Sequence, residues 1–185
     1  RLIMTKNWDS KWFNSKQFAT NLVEDVRLRS AILKKLGPQA GIDRIIIERK
    51  RGQLTITIHA GRPGVIIGRA GAGMTELRNY LTWETLKHSP AAKDLKLLVS
   101  QVKIPELSAA FVAQNIGQQI SKRISYRRAA KQAIEKTMQR GALGIKVTIS
   151  GRLGGAEIAR DEKFTEGKLP LSNFKADIDY AVYHT

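Results

Sequence analysis

Apolar residues recur with helical spacing close to the start of the chain. Phe18, Leu22 and Val26 are four residues apart, which predicts a helix with one apolar face turned toward a core. Gly37 and Pro38 end this helix, because glycine favours the left-handed residue after a helix and proline cannot continue one.

Two strands are predicted next, at 44–50 and 53–60, since apolar and polar residues alternate in both stretches. Arg51 and Gly52 form a tight turn between them. A glycine-rich stretch then separates two helical segments, of which the second runs to about Lys87. A last strand covers 95–104. The predicted order is therefore helix, strand, strand, helix, helix, strand.

The remaining residues have a pattern of their own, which begins at Pro105. A proline-free stretch predicts two helices that meet near Ser125, a residue suited to cap the second. Three extended segments follow, at 145–149, 156–165 and 176–180. We expect them to form a small antiparallel sheet backed by the two helices. The whole chain is thus predicted to be α+β.

The glycine-rich stretch contains the sequence Gly68, Arg69, Ala70 and Gly71 between two apolar segments. Glycines at both ends let the backbone approach a phosphate chain closely, and Arg69 adds a positive charge. Two other interpretations stay open from these residues alone. One is a nucleotide phosphate loop, although Met74 stands where that loop needs lysine. The other is a plain turn between two packed helices.

Charge changes the picture most. The chain has 32 Lys and Arg against 16 Asp and Glu, a formal net charge of +16. Such an excess opposes compaction and favours a polyanionic partner, with nucleic acid ahead of an anionic membrane. Cysteine is absent, and three histidines are scattered without the spacing of metal ligands. No cofactor is predicted.

The second helix of the C-terminal half concentrates this charge. Arg127, Arg128 and Lys131 are neighbours on one face, and the opposite face carries an apolar stripe that ends at Met138. Arg123 extends the patch. A solvated helix face is the alternative to RNA contact. Near the N-terminus, aromatic residues in a polar arm either pack onto the following domain or stack on bases. They are Trp8, Trp12 and Phe13.

Several motifs resemble one known family. The run SGRLGGAEIAR at 150–160 is followed by EGKLPL at 166–171 and ADIDY at 176–180, and together they resemble the C-terminal domain of the ribosomal protein S3 family. The stretch 47–78, which includes VIIGRAG, is similar to that family's KH domain, a fold whose GXXG loop clamps single-stranded nucleic acid. The element order matches the second of the two KH topologies. The resemblance covers nearly the whole chain and is bacterial or organellar in type.

The resemblance implies an N-terminal arm at 1–19, a type II KH domain at 20–104 and a C-terminal domain at 105–185. It also implies binding of ribosomal RNA in the head of the small subunit and a place at the entrance of the messenger RNA channel. The residues that match the channel-lining helix are Arg127, Arg128 and Lys131. Arg123, beside that helix, is added to the same candidate site. Candidates for ribosomal RNA contact are Arg152, Arg160 and Lys163. The loop from Gly68 to Gly71 is a further RNA-binding candidate.

The implied partners are small-subunit ribosomal RNA, messenger RNA and neighbouring ribosomal proteins. By resemblance these are S-ten and S-fourteen in the head, and S-four and S-five at the channel entrance. The ribosome of the cytoplasm is the expected location, with an organellar ribosome as the alternative, and no membrane is involved. Nothing in the sequence supplies a nucleophile, a metal site or a paired acid and base, so we expect no enzyme. A free-standing KH regulator or transcription factor is the competing function.

Overall fold

The computed structural model describes residues 6–50, 53–86 and 94–185, which form two compact units. The first unit is Asn7–Lys103, and the second is Ile104–Thr185 together with Lys6. The turn predicted at Arg51 and Gly52 and the helix end predicted at Lys87 lie outside the described residues.

A four-stranded sheet organises the first unit. Its strands, in spatial order, are β1 (Ser10–Lys11), β2 (Ile42–Lys50), β3 (Gln53–Ala60) and β4 (Leu95–Gln101). The β2–β3 pair is antiparallel, and the pairs β1–β2 and β3–β4 are parallel. Residues aligned across the middle of the sheet are Ser10, Ile47, Ile56 and Leu97. β3 has the predicted bounds, β2 begins two residues earlier, and β4 ends three residues earlier.

Among the described residues of this unit, three helices follow the predicted order. They are α1 (Phe18–Leu36), α2 (Pro63–Ile67) and α3 (Ala72–Glu84). Side chains from these helices and from one face of the sheet share a single core, in which Ile32, Leu77 and Ile56 are among the fully buried members. Gly37 ends α1 with a positive φ of 62°, as predicted, and Pro38 opens a short 3-10 turn.

The predicted inward face of α1 is wrong. Phe18, Leu22 and Val26 are 57%, 45% and 57% exposed. The helix instead buries a face that contains Leu28, Ala31 and Ile32. The same face also carries a carboxylate, Asp25, and a buried charge breaks the simple apolar pattern on which the prediction depended.

Asp25 is 1% exposed, and its two carboxylate oxygens accept four hydrogen bonds. The Ser10 hydroxyl (3.0 Å) and the Trp12 indole Nε1 (2.8 Å) donate to one oxygen. Arg49 donates to the other through Nε (3.1 Å) and Nη2 (2.7 Å), and its Nη1 also donates to Glu24. A buried carboxylate is tolerated only with such partners. The network therefore fastens the N-terminal arm to α1 and β2.

The second unit contains two helices and a hairpin. The helices are α4 (Ala109–Ser121) and α5 (Tyr126–Gln139), and the strands are β5 (Gly144–Gly151) and β6 (Arg160–Gly167). Ser108 caps the start of α4, because its hydroxyl accepts a hydrogen bond from the Phe111 amide. The two strands pair antiparallel along their full length. Their inner face packs on the helices around a small core of Ile116, Ala129, Ala133, Val147 and Ile149.

The third strand predicted at 176–180 is not formed, so the described sheet of this unit has two strands. That segment lies along α4 instead. The Asp179 carboxylate accepts a hydrogen bond from the Ala109 amide (2.7 Å) at the start of the helix and also pairs with Lys6. Farther along, the Tyr183 ring lies against Gly117, where an added Cβ would displace the ring. The segment therefore contacts α4 through Asp179 and Tyr183 instead of pairing as a strand.

Candidate nucleic-acid interface

The GXXG loop is a turn between two helices. α2 ends at Ile67, and Gly68 follows with a positive φ of 69°. Arg69 to Gly71 form one 3-10 turn, in which Ala70 has the left-handed conformation (φ 52°, ψ 26°) and Gly71 has φ 80°. The loop follows a helix rather than a strand, which does not fit the strand–loop–helix order of a nucleotide phosphate loop. Gly68, Arg69 and Ala70 are exposed, and Gly71 is half-buried.

A third glycine makes this turn sterically possible. A Cβ on Gly73 would lie 2.5 Å from the Ile66 carbonyl oxygen and 3.1 Å from that of Ile67. Helices α2 and α3 therefore meet backbone to backbone at Gly73. The sequence motif did not indicate this role, because Gly73 lies outside the four residues of G-x-x-G.

The outer face of α5 brings the predicted charges together. Arg128 and Lys131 are exposed, and within the described part of the chain neither has an acidic partner. Beside them is a shallow, open depression. It is lined by Ser125, Arg127, Arg128, Lys131, Gln132 and Glu135. The inner face of the same helix is buried through Ala130 and Ile134, as predicted. Packing and charge thus occupy opposite sides of α5.

Arg127 differs from its two neighbours because it is paired. Its Nη2 donates to Glu162 Oε1 at 2.8 Å and its Nε donates to Glu162 Oε2 at 3.3 Å. The Tyr126 hydroxyl donates to Glu162 Oε1 as well, at 2.8 Å. These hydrogen bonds, with that from Arg127 the strongest, hold the pKa of Glu162 below its ordinary value. The carboxylate raises the pKa of Arg127 in turn. The sequence analysis missed both Glu162 and Tyr126.

The other predicted contacts are dispersed. Arg123 is exposed in the turn between α4 and α5, where its own φ is +62°, and so it does not continue the helical face of α5. In the hairpin, Arg160 and Lys163 are exposed on β6, and Arg152 is exposed before it. The Arg152 guanidinium donates to the Ala156 carbonyl (2.9 Å), which ties it to its own loop.

The aromatic arm contains one packed ring and two exposed rings. Trp12 packs, since its ring lies 5.5 Å from that of Phe18 and its nitrogen donates to Asp25. Trp8 and Phe13 do not pack and are 79% and 94% exposed. Their faces are therefore accessible to a base, and base stacking by them stays a prediction.

A metal cluster or a membrane-spanning helix would indicate another function. No group of three or more metal-ligating side chains occurs within 6–50, 53–86 and 94–185. None of the helices formed by those residues is long and apolar enough to cross a bilayer.

Comparison with known proteins gives matches over nearly the whole chain. Residues 27–107 match the model of the KH domain, and residues 116–185 match the model described as ribosomal protein S3, C-terminal domain. The chain is 47% identical over 182 residues to the small ribosomal subunit protein uS3 of Cytophaga hutchinsonii, covering 98% of this chain and 69% of that protein. It is 49% identical over 181 residues to the protein of the same name from Caldanaerobacter subterraneus, covering 97% and 79%. Identity to the Caldicellulosiruptor saccharolyticus protein is 47%, with the same coverage.

Proposed function

Because the chain belongs to the ribosomal protein S3 family, we propose that it is a constituent of the small ribosomal subunit that binds ribosomal RNA and holds incoming messenger RNA at the channel entrance. The family is structural and not enzymatic. The relatives carry the name small ribosomal subunit protein, which supports the assembly. The net charge of +16 suits a surface that faces RNA phosphates.

The exposed basic face of α5 is the observation that supports the proposed binding of messenger RNA. Arg128 and Lys131 project from a helix whose other side already supplies the packing. Side chains that the fold does not need, and that form no ion pair within the described residues, are available to phosphate. Contact with phosphates is independent of base sequence, which a channel for every messenger requires.

We assign the ribosomal RNA contacts to the hairpin and the KH loop. Arg160 and Lys163 are exposed along β6, and Arg152 is exposed beside the strand. The loop from Gly68 to Gly71 offers backbone in left-handed conformations and one arginine. These residues lie on elements other than α5, so their contribution and that of α5 can be tested separately by mutation.

The test is a double substitution, Arg128→Ala with Lys131→Ala, in small subunits that carry the variant. We expect the logarithmic salt slope of messenger binding to fall by roughly 1.4, since each lost phosphate contact on a single strand removes about 0.7. Messages with strong hairpins should be translated less well than unstructured ones. Binding is measured with an unstructured messenger over a salt series.

The matched control is Arg160→Ala with Lys163→Ala, which removes the same charge from the hairpin. It should lower the occupancy of the protein in subunits after a high-salt wash, whereas the α5 variant should stay bound. An α5 variant that leaves both salt slope and hairpin passage unchanged would contradict the messenger assignment. Failure of the unsubstituted chain to sediment with small subunits would favour an RNA-binding regulator that acts off the ribosome.

A further inference from the structure

We propose that Glu162 weakens the binding of messenger RNA to α5 because it occupies the guanidinium of Arg127. This inference rests on the messenger-binding function proposed above. Arg127 and Glu162 are 35 residues apart in sequence, on α5 and β6 respectively. The two hydrogen bonds between them, 2.8 and 3.3 Å, form the paired arrangement with which an arginine also binds phosphate. Glu162 therefore fills the position that a messenger phosphate would take.

The arrangement makes the three basic residues unequal. The Arg127–Glu162 pair carries no net charge, whereas Arg128 and Lys131 each keep theirs. Binding to a polyanion gains mostly from the release of counterions, and a side chain that is already neutralised releases few. Three cations thus lie on this face of α5, but two of them, Arg128 and Lys131, supply the net charge that attracts a distant phosphate chain.

Exposure shows that the pair is accessible to a competing anion. The Arg127 side chain is 64% exposed and that of Glu162 is 23% exposed. An exposed ion pair contributes little to stability, so its role in holding the fold is small. The carboxylate is nevertheless held in place from a second side, since the Tyr126 hydroxyl donates to it at 2.8 Å. When phosphate displaces the carboxylate from Arg127, Glu162 keeps this second partner.

Weak binding suits a messenger RNA that must keep moving. Messenger passes the channel entrance continuously, and each permanently bound phosphate would have to be released at every step. An internal carboxylate that competes with phosphate keeps the third contact available and easily reversed. The basic face then binds RNA without retaining it.

The experiment compares Glu162→Gln with Glu166→Gln in small subunits that carry each variant. Both changes remove one negative charge from β6. Glu166 is four residues along the strand, about 13 Å away, which exceeds the screening length of about 10 Å at 0.1 M salt. For Glu162→Gln we expect the salt slope of binding to an unstructured messenger to steepen by about 0.7, with roughly fivefold tighter binding at 0.1 M salt. For Glu166→Gln we expect less than about a twofold change.

Two further variants make the result specific. In an Arg127→Gln background, Glu162→Gln should no longer tighten binding, because the group that it releases is gone. Tyr126→Phe keeps the charge of Glu162 and removes one hydrogen bond to it, so it should tighten binding by less than Glu162→Gln. A change in the fold would appear as a lower midpoint of thermal unfolding in the isolated chain and would affect both backgrounds alike.

The inference is overturned if Glu162→Gln weakens binding, which would mean that Glu162 positions Arg127 for the messenger. Equal effects of Glu162→Gln and Glu166→Gln, or tighter binding that persists without Arg127, would overturn it too. The proposed function fails by a different result, an unchanged salt slope in the Arg128→Ala, Lys131→Ala variant. The two failures are therefore distinguishable in one series of measurements.

Discussion

A Cβ on Gly73 would lie 2.5 Å from the carbonyl oxygen of Ile66. No rotamer change relieves such a contact, because both atoms belong to backbone. We therefore expect Gly73→Ala to lower the free energy of unfolding of the full chain by about 2–3 kcal/mol, as overpacking does elsewhere. The control is Gly64→Ala, at a helical position with no atom within 4 Å of the added methyl. That change should be neutral or slightly stabilising in the same thermal unfolding experiment. Equal losses for both variants would contradict the close approach of α2 and α3.

Gly71 tests whether the loop binds phosphate. It has φ 80° and open space around it, so a side chain there meets strain but no clash. Asn and Asp tolerate this conformation better than other residues. Gly71→Asn should therefore bind single-stranded RNA nearly as well as the unsubstituted chain at low salt. Gly71→Asp, of the same shape but negatively charged, should bind roughly five- to tenfold more weakly. If the two variants bound alike, the loop would be a turn and not an RNA clamp.

Asp179 makes the second unit sensitive to acid. Its burial raises the carboxyl pKa, but hydrogen bonds from Lys6 and the Ala109 amide outweigh burial and hold the pKa below the ordinary value. A lowered pKa in the folded state means that this contribution to stability is present at neutral pH. It is lost as pH falls below about 4, through the folded pKa.

Asp179→Asn should accordingly cost about 1 kcal/mol of unfolding free energy at pH 7, where the charge also favours the start of α4. The difference between variant and parent should shrink as pH falls below about 4, as measured by chemical unfolding at each pH. A pH-independent difference would mean that the carboxylate charge has no part in it. Asp177→Asn is the matched control, and it should change stability by less than about 0.5 kcal/mol.

The division of the chain at Pro105 predicts that residues 1–104 fold alone with one cooperative thermal transition. The Asp25 network adds a sharper expectation for the arm. A fragment of residues 20–104 lacks Ser10 and Trp12, so two hydrogen bonds to a buried carboxylate are lost. It should be less stable than the longer fragment by at least about 2 kcal/mol. A 1–104 fragment without a cooperative transition would refute the division, and equal stabilities would refute the role of the arm.

Local patterns predicted the elements whose structure is decided locally. The bounds of β3 followed from strict alternation, and the interruption between α4 and α5 was expected at Ser125 and lies at 122–125. The exposed face of α5 was also predictable, because charge and apolar residues separate cleanly around that helix. The apolar pattern did not predict the structure of a segment that could pair with a strand or pack on a helix. The residues around Asp179 alternate as a strand would, yet they pack along α4.

Long-range polar pairs were beyond the reach of the sequence. The inward face of α1 was misassigned because Asp25 is buried, and its burial depends on Trp12, on Ser10 and on Arg49 in β2. Glu162 was missed for a similar reason. Spacing along α5 identified its basic residues, but nothing in the sequence indicates which acid a neighbouring strand will place against Arg127.

The parallel pairing of β1 with β2 has a consequence for the order in which the chain folds during synthesis. Ser10 pairs opposite Ile47, so β1 has no partner on this side of the sheet until the whole of α1 and most of β2 have followed it. Arg49, which completes the shell around Asp25, is made later still. Until then α1 carries an uncompensated carboxylate on the face that it must bury. Stable docking of the arm is therefore delayed until the chain has left the ribosome that makes it as far as Arg49, well after Ser10 and Trp12 have emerged.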